Sequence, residues 1–400
     1  MKNYLTLVLA LSVVSAPAFA SRARLEALGE GKNGSYFIDD ARNIFLDPAQ
    51  LVHYKKKLWL ETGIEPVANG TNAQDAAVTG NRAQGGFSNT FGDFTYGVYM
   101  NQTSERTLNI IQSVDSLGAL VNSDTNFIAP DSTIEVFFAG EGALNWGISA
   151  FYAGNNVKGS VLTPTVAGAG VERTASQVGV RLGVDMNAFK VFTTIALANK
   201  SNVYDGSTQG NEIKGKIGID LGAEYVMNDM TAFAKATMVG ADVNTTVVTE
   251  LRQSQYGIGA GWKHEMTKST NLFARTEFDY AKSGAAQLAN STVQTTNIPV
   301  VVGAESQALS WLAIRGSIAE SIWGQQWNGQ ARNNLGGTTT VALGLGLTFG
   351  DVQIDGLVAT DGAAVNPAAG IAGFGTAPQT NTGFGFGNNM LTRVALTYNF

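Results

Sequence analysis

Residues 177–199 read QVGVRLGVDMNAFKVFTTIALAN. Val178, Val180, Leu182 and Val184 alternate with Gln177, Gly179, Arg181, Gly183 and Asp185. After Met186-Asn187 the alternation resumes, with Phe189, Val191, Ile195 and Leu197 set against Lys190, Thr194 and Ala196. Successive side chains of a strand point to opposite faces, so each run has one apolar face and one polar or small face. On a helix the same residues would scatter around the circumference. Ile213, Ile217, Ile219, Leu221 and Tyr225, set against Lys214, Lys216, Asp220 and Glu224, repeat the pattern.

Sixteen such segments follow one another, from 52–62 to 389–400. Fourteen is the count if the two weakest alternations, 82–90 and 352–360, are set aside. Short turns rich in Gly, Asn and Asp, such as Phe91-Gly92-Asp93, Asn228-Asp229 and Gly350-Asp351, follow the even-numbered segments. Long connections (63–81, 103–130, 155–170, 200–210, 241–250, 284–292, 320–337 and 361–388) follow the odd-numbered ones. Strict short–long alternation is the pattern of a transmembrane β-barrel with brief periplasmic turns and long outer loops. The predicted fold is therefore all-β: an antiparallel transmembrane barrel of about sixteen strands over residues 51–400. Trp146, Tyr152, Tyr225, Trp262, Tyr280, Phe349 and Tyr398 fall on the apolar face, many near strand ends, as an aromatic girdle would.

Composition agrees. Charged residues are 14% of the 400-residue chain, glycines number 47 and prolines 8. Hydrophobic residues reach 44% with almost no long apolar run, because in a barrel each strand's signal is diluted by half. Residues 1–20 read as a cleavable signal peptide: Lys2, then an apolar run from Leu5 to Val14, then Ala18-Phe19-Ala20 before Ser21. That run is too short to cross a bilayer as a helix. Cysteine is absent, which excludes a thiol nucleophile and a disulfide framework. Without residues 1–20 the chain has 25 basic and 32 acidic residues, a net charge of −7, which argues against a nucleic-acid partner.

Residues 21–50 do not alternate. Ser21-Arg22-Ala23-Arg24-Leu25-Glu26-Ala27-Leu28-Gly29 is followed by Tyr36-Phe37-Ile38-Asp39-Asp40-Ala41-Arg42-Asn43-Ile44-Phe45-Leu46-Asp47-Pro48-Ala49. A short helix over 37–46 is predicted, capped by Asp39 or Asp40, with Ile38, Ala41, Ile44 and Phe45 on one side. The segment is expected to sit in the lumen as a partial plug. This stretch resembles the mature N-terminus of the fatty-acid-transporter-like superfamily of outer-membrane barrels. Most of all it looks like the porin-like major outer-membrane proteins of predatory bacteria. Asp47 stands where that pattern has Asn, and either residue caps a turn before Pro48. In the transporter relatives the segment plugs the lumen and a hydrophobic pocket carries lipid. The resemblance implies an outer-membrane location in a Gram-negative-type bacterium. The final strand, with Met390, Val394, Leu396, Tyr398 and Phe400 on one face, resembles the C-terminal strand of outer-membrane proteins. There a last Phe is read by the barrel-assembly machinery.

No enzyme chemistry is legible. His53 and His264 are the two histidines, neither in a Ser/His/Asp arrangement, and no G-x-S-x-G is present. Gly344-Leu345-Gly346-Leu347-Thr348-Phe349-Gly350 reads as a strand with inward glycines that let the N-terminal segment approach the wall, not as a nucleotide loop. No cofactor is implied. Strand-centre charges are placed inward, since Lys or Arg on the lipid face costs roughly 2–4 kcal/mol at mid-bilayer. Arg181, Lys190, Lys214, Lys216, Arg275 and Arg315 are the pore-lining candidates. The function expected first is a porin-like passive channel for small hydrophilic solutes and ions. A transporter of hydrophobic compounds and a structural or surface-interaction barrel are the alternatives. The expected partners are outer-membrane lipid, the barrel-assembly machinery, small solutes and further copies of the chain. Trp323 and Trp327 are placed in a long loop.

Overall fold

In a computed structural model, residues 21–63, 83–102, 127–130, 132–160, 170–204, 211–244, 248–286, 291–328, 331–335, 339–360 and 390–400 are described. The predicted signal peptide and most of the long connections lie outside them. Eighteen strands form a single sheet: β1 (Lys57–Gly63), β2 (Gln84–Phe91), β3 (Phe94–Met100), β4 (Ser132–Gly140), β5 (Asn145–Ser160), β6 (Gly170–Met186), β7 (Phe189–Tyr204), β8 (Asn211–Gly215), β9 (Gly218–Met227), β10 (Met230–Asn244), β11 (Val248–Thr267), β12 (Thr270–Ala285), β13 (Val293–Leu309), β14 (Leu312–Trp327), β15 (Arg332–Asn334), β16 (Thr339–Phe349), β17 (Val352–Thr360) and β18 (Met390–Asn399).

Every pairing is antiparallel. β1 closes the ring, with Leu58 opposite Phe87 of β2 and opposite Tyr398 of β18. β8 and β9 share one place between β7 and β10, and β15 continues the line of β16 beside β14. The barrel therefore has sixteen positions. The two weakly alternating segments are full members, as β2 and β17. Closure leaves no unpaired edge, the condition for a sheet in lipid. Asn187 and Asn228 take positive φ values of 64° and 54° in the tight turns, a conformation asparagine tolerates.

Through most of the wall the outer face is apolar. Ile148, Leu182, Leu221, Ile258, Ile314, Leu345 and Val394 are exposed there. Tyr152, Tyr225, Trp262, Phe349 and Tyr398 share that face. At the long-loop ends of β7–β12 the polarity inverts. Val203, Ile213, Val239, Ala241, Val243, Leu251 and Ala285 are buried inside, packed with Phe127 and Ala129. The residues between them, Lys214, Asp242, Glu250 and Arg252, stand on the other face. Lipid demands apolar-out and water demands apolar-in, so the inversion marks where these strands leave the membrane.

In β7 and at β8–β9 two breaks in register accompany the inversion, whereas β10 and β12 keep their parity and change residue type. At Leu197 β7 slips by one residue against β6, so the inward set passes from Phe192, Thr194 and Ala196 to Asn199, Ser201 and Val203. The break between β8 and β9 does the same beside it, since Ile213 is buried whereas Ile219 is exposed. One extra residue flips every side chain beyond it.

The N-terminal region differs from expectation at its end. The first strand starts at Lys57, not at 52, because Pro48–His53 forms a 310 helix, η2, capped by Asp47. Pro48 supplies a pre-set φ at its first position. The predicted helix over 37–46 is a shorter 310 turn, η1 (Ala41–Phe45), capped by Asp40, and Ile38, Ala41, Ile44 and Phe45 are all buried. A further helix, α1 (Arg22–Ala27), precedes them. Trp323 and Trp327 lie on the outer face of β14, not in a loop, because that strand continues past a register shift near Ile322.

Candidate functional site

The inner wall and the N-terminal segment form one packed unit. Ser21 caps α1 by accepting from Arg24 N–H, and its own Oγ donates to Asp355 of β17 at 2.8 Å. Arg24 is the hub. Its Nε and Nη2 donate to the two carboxylate oxygens of Glu305 at 2.9 and 2.8 Å, and its Nη1 to Asp40 at 3.0 Å. A guanidinium is suited to this, because its fork matches a carboxylate at two points. Arg315 bridges Glu305 and Asp355, at 2.5 Å to each. Arg22 and Arg393 hold Glu26 from either side, both at 2.8 Å. Arg42 donates to Glu61 at 3.2 Å and to the Tyr99 hydroxyl at 2.8 Å, with its guanidinium 4.4 Å from the Phe45 ring.

Apolar packing completes the seat. Phe45 lies edge-on to Tyr99 and Phe137, at 4.8 and 5.7 Å. Tyr36 stacks on Phe233 at 4.9 Å and leans on Phe192 at 5.7 Å. The wall makes room for backbone where η2 and α1 approach. A Cβ at Gly147 would stand 2.2 Å from the Pro48 carbonyl carbon, and one at Gly344 would stand 2.6 Å from the Ala27 Cβ. Of the inward glycines of β16, Gly344 accommodates the N-terminal segment and Gly346 leaves room for the Arg315 guanidinium. Beside residues 35–39, at the short-turn end, lies a polar cavity of about 310 Å³ lined by Tyr36, Asp39, Lys190, Glu224, Lys263 and Asn271, among others.

Burial and charge set the protonation of the segment's acids. Burial pushes Glu26 up, but Arg22 and Arg393 together pull it below the usual carboxylate range. Burial pushes Asp47 up to about 6, against the hydrogen bonds it accepts from Ala49 N–H and Gln50.

Of the six pore-lining candidates, four are brought into this interior, each beside an acid. Arg181 donates to Glu135 at 2.7 Å and to the Phe45 carbonyl at 2.8 Å. Lys190 lies 3.3 Å from Glu224, and Arg275 lies 2.9 Å from Glu30 and 3.1 Å from Glu277. Arg315 is described above. Lys214 and Lys216 are not with them. Beyond the bulges Lys214 stands on the face opposite buried Ile213, and Lys216 pairs on the exposed side with Asp242 and Glu250, at 3.1 and 2.5 Å. The parity carried forward from Ile219 and Leu221 fails at residue 216. Sequence reasoning missed Glu61 and Glu305, although both alternate inward with apolar neighbours. It also missed the N-terminal arginines as their partners, which no local pattern encodes.

No protein-family model matches the sequence, and no curated protein does. Among solved structures, the chain is similar to the CymD monoaromatic hydrocarbon channel, at 11% identity over 96% of this chain and 99% of that one, with a TM-score of 0.41. It is similar to the Pseudomonas putida toluene transporter TodX at 10% identity over 96% and 98%, with a TM-score of 0.39. It is similar to the outer-membrane expressed OmpT of Vibrio cholerae at 11% identity over 86% and 95%, with a TM-score of 0.35. Likenesses this faint assign no family. The geometry itself establishes a closed, sixteen-position antiparallel barrel with its N-terminal segment seated on the inner wall.

Proposed function

We propose that this barrel resides in the outer membrane of a Gram-negative-type bacterium and passes small hydrophobic compounds, with residues 21–53 as a lumen plug. One observation carries the reading. The interior carries a buried apolar cluster where the wall rises beyond the lipid belt, around Val203, Ile213, Val243 and Leu251. Water-borne ions and sugars gain nothing from such a surface, whereas a hydrocarbon is drawn to it by the hydrophobic effect. Below it, the interior arginines 181, 275 and 315 are each engaged by carboxylates, which leaves little of the unpaired field that an ion channel uses.

The porin reading keeps one supporting observation, the mixed-charge wall of a barrel wide enough for an aqueous lumen. Purified protein in planar bilayers and in vesicles separates the two. The expected result is an absence of steady ohmic steps, together with faster entry of a small hydrocarbon into protein-bearing vesicles than into protein-free ones. Ohmic steps without accelerated hydrocarbon entry would establish the porin and overturn the proposal.

A further inference from the structure

Five ionisable side chains meet inside the barrel in a line of contacts that ends one positive charge short. Glu30 of the N-terminal segment lies 2.9 Å from Arg275 Nε, and Arg275 Nη1 lies 3.1 Å from Glu277 Oε1. Lys235 Nζ donates to Glu277 Oε2 at 3.0 Å and lies 3.1 Å from Asp279 Oδ1. Three carboxylates thus share two cations. The wall is shaped for this. Lys235, Gly257 and Asp279 stand in one row across β10, β11 and β12. A Cβ at Gly257 would stand 2.5 Å from Lys235 Cε and 2.9 Å from Asp279 Oδ1, so glycine is what lets the lysine reach across β11.

Asp279, at the end of the line, is the member left over. It is 4% exposed and Glu277 is 2% exposed. The two are next-but-one neighbours on the inward face of β12, with their carboxyl groups within hydrogen-bonding reach of one another. Yet neither Asp279 oxygen accepts a hydrogen bond, since the Lys235 ammonium donates to Glu277. Two ionised carboxylates are acceptors only and repel one another, whereas a single proton between them makes the contact a hydrogen bond and removes the surplus charge. A buried charge without a partner is heavily penalised, so the set is complete only with that proton. Among the described residues, the other ionisable groups that face the set are Tyr36 of the segment and Asp220 and Glu224 of β9, Glu224 being paired with Lys190. β11 presents Gly257 and Gly259 there and β13 presents Asn297, so neither strand supplies a third cation.

We propose that Glu277 and Asp279 bind one proton between them, and that this proton locks Glu30, and with it the N-terminal segment, to the wall. With the proton in place the five groups sum to zero charge. Without it one net negative charge is left in the interior, and Glu30 is the member able to relieve it. The other four are fixed on β10 and β12, whereas Glu30 stands between Gly29 and Gly31 on the connection from α1 to Ser35. Arg275 then serves Glu277, Lys235 serves Asp279, and Glu30 turns to water. The exchange breaks one ion pair and passes one proton to solvent, which meets the set at Lys235, its most exposed member. Acid therefore holds the segment and alkali releases it. The inference goes beyond the transport reading and does not depend on which solute passes.

The natural chain lacks cysteine, so Gly31→Cys gives the full-length protein one thiol for a nitroxide spin label. The position is exposed, stands beside Glu30, and a Cβ there meets nothing closer than the Gly34 carbonyl oxygen at 3.7 Å. The readout is label mobility in the refolded barrel at pH 5 and at pH 9. The label is expected to be held at pH 5 and to rotate several-fold faster at pH 9. Asp279→Asn and Glu277→Gln each remove one acid and leave an amide that donates where the proton stood, so either variant should hold the label at both values. Infrared difference spectra read the proton itself. Between the two pH values the wild type should lose one more protonated carboxyl than Asp279→Asn does. Retained heat-modifiable migration in gels confirms that each variant is folded, and where one amide variant does not fold the other carries the test. Wild-type mobility unmoved by pH, a response that survives the amide substitution, or equal infrared losses would each overturn the assignment.

Discussion

At the scale of single residues, the interior is organised by arginines, of which Arg24, Arg275 and Arg315 each answer to two acids. Arg315 lies between Glu305 and Asp355 with almost no solvent contact. Removing one member of such a set leaves an uncompensated buried charge, so Arg315→Met is expected to cost about 3–5 kcal/mol. The denaturant midpoint of the refolded barrel checks this, and Glu305→Gln with Asp355→Asn in the same chain should recover part of the loss. Asp47 gives a pH dependence. Its folded value, about 6, lies above its ordinary 3.8. Its stabilising contribution is therefore full below pH 3.8 and is lost as pH rises through about 6, to a limit of about 3 kcal/mol. Amides of residues 47–53 should be better protected from hydrogen exchange at pH 5 than at pH 8, after correction for intrinsic rates. Asp47→Asn should flatten the difference, and greater protection at the higher pH would contradict the assignment. The residue scale is also where the sequence was least legible. Arg181, Lys190, Arg275 and Arg315 face inward as alternation requires, but alternation says nothing of their partners: Glu305 faces Arg315 across one hairpin, whereas Glu30, Glu135 and Glu224 come from more distant segments. Lys214 and Lys216 were misplaced because the break between Gly215 and Gly218 reverses parity inside what alternation reads as one strand.

Among the elements, strands were legible and their ends were not. Alternation located every position of the ring, since each strand has lipid on one side and a polar interior on the other. It lost β14 beyond Ala319, just before a register shift puts Ile322 and Trp323 in succession on exposed positions. It also read 52–56 as strand, where Asp47 and Pro48 start a 310 helix. That helix, η2, is a short element seated against the wall by buried Leu51 and Val52 and by Gln50, which donates to Asp185. Its carbonyl backbone lies where a side chain of β5 would otherwise stand, at Gly147. Gly147→Val should therefore displace η2 while the ring still closes, since the new side chain points into the lumen. The expected outcome is ion conductance in planar bilayers where wild type has none. A silent, folded variant would show that η2 does not hold the ion path shut.

For the whole molecule, the barrel and its N-terminal segment should be separable. Deleting residues 21–53 removes α1, η1 and η2 but no ring strand. The shortened barrel should give steady ohmic steps of porin size, because sixteen strands around nothing enclose water. Failure to conduct despite correct folding would mean that wall side chains or loops close the lumen unaided. The pairing of β1 with β18 has a further consequence, one of time. Hydrogen bonds join Ser21 to Asp355 and Arg393 to Glu26, across 334 and 367 positions of the chain. Contacts so remote in sequence are the slowest to form, since the loop between them must be closed first. The N-terminal segment can take its final partners only after the last hairpin has arrived. Until then the segment waits unshielded, with its arginines unmatched, open to proteases and stray association.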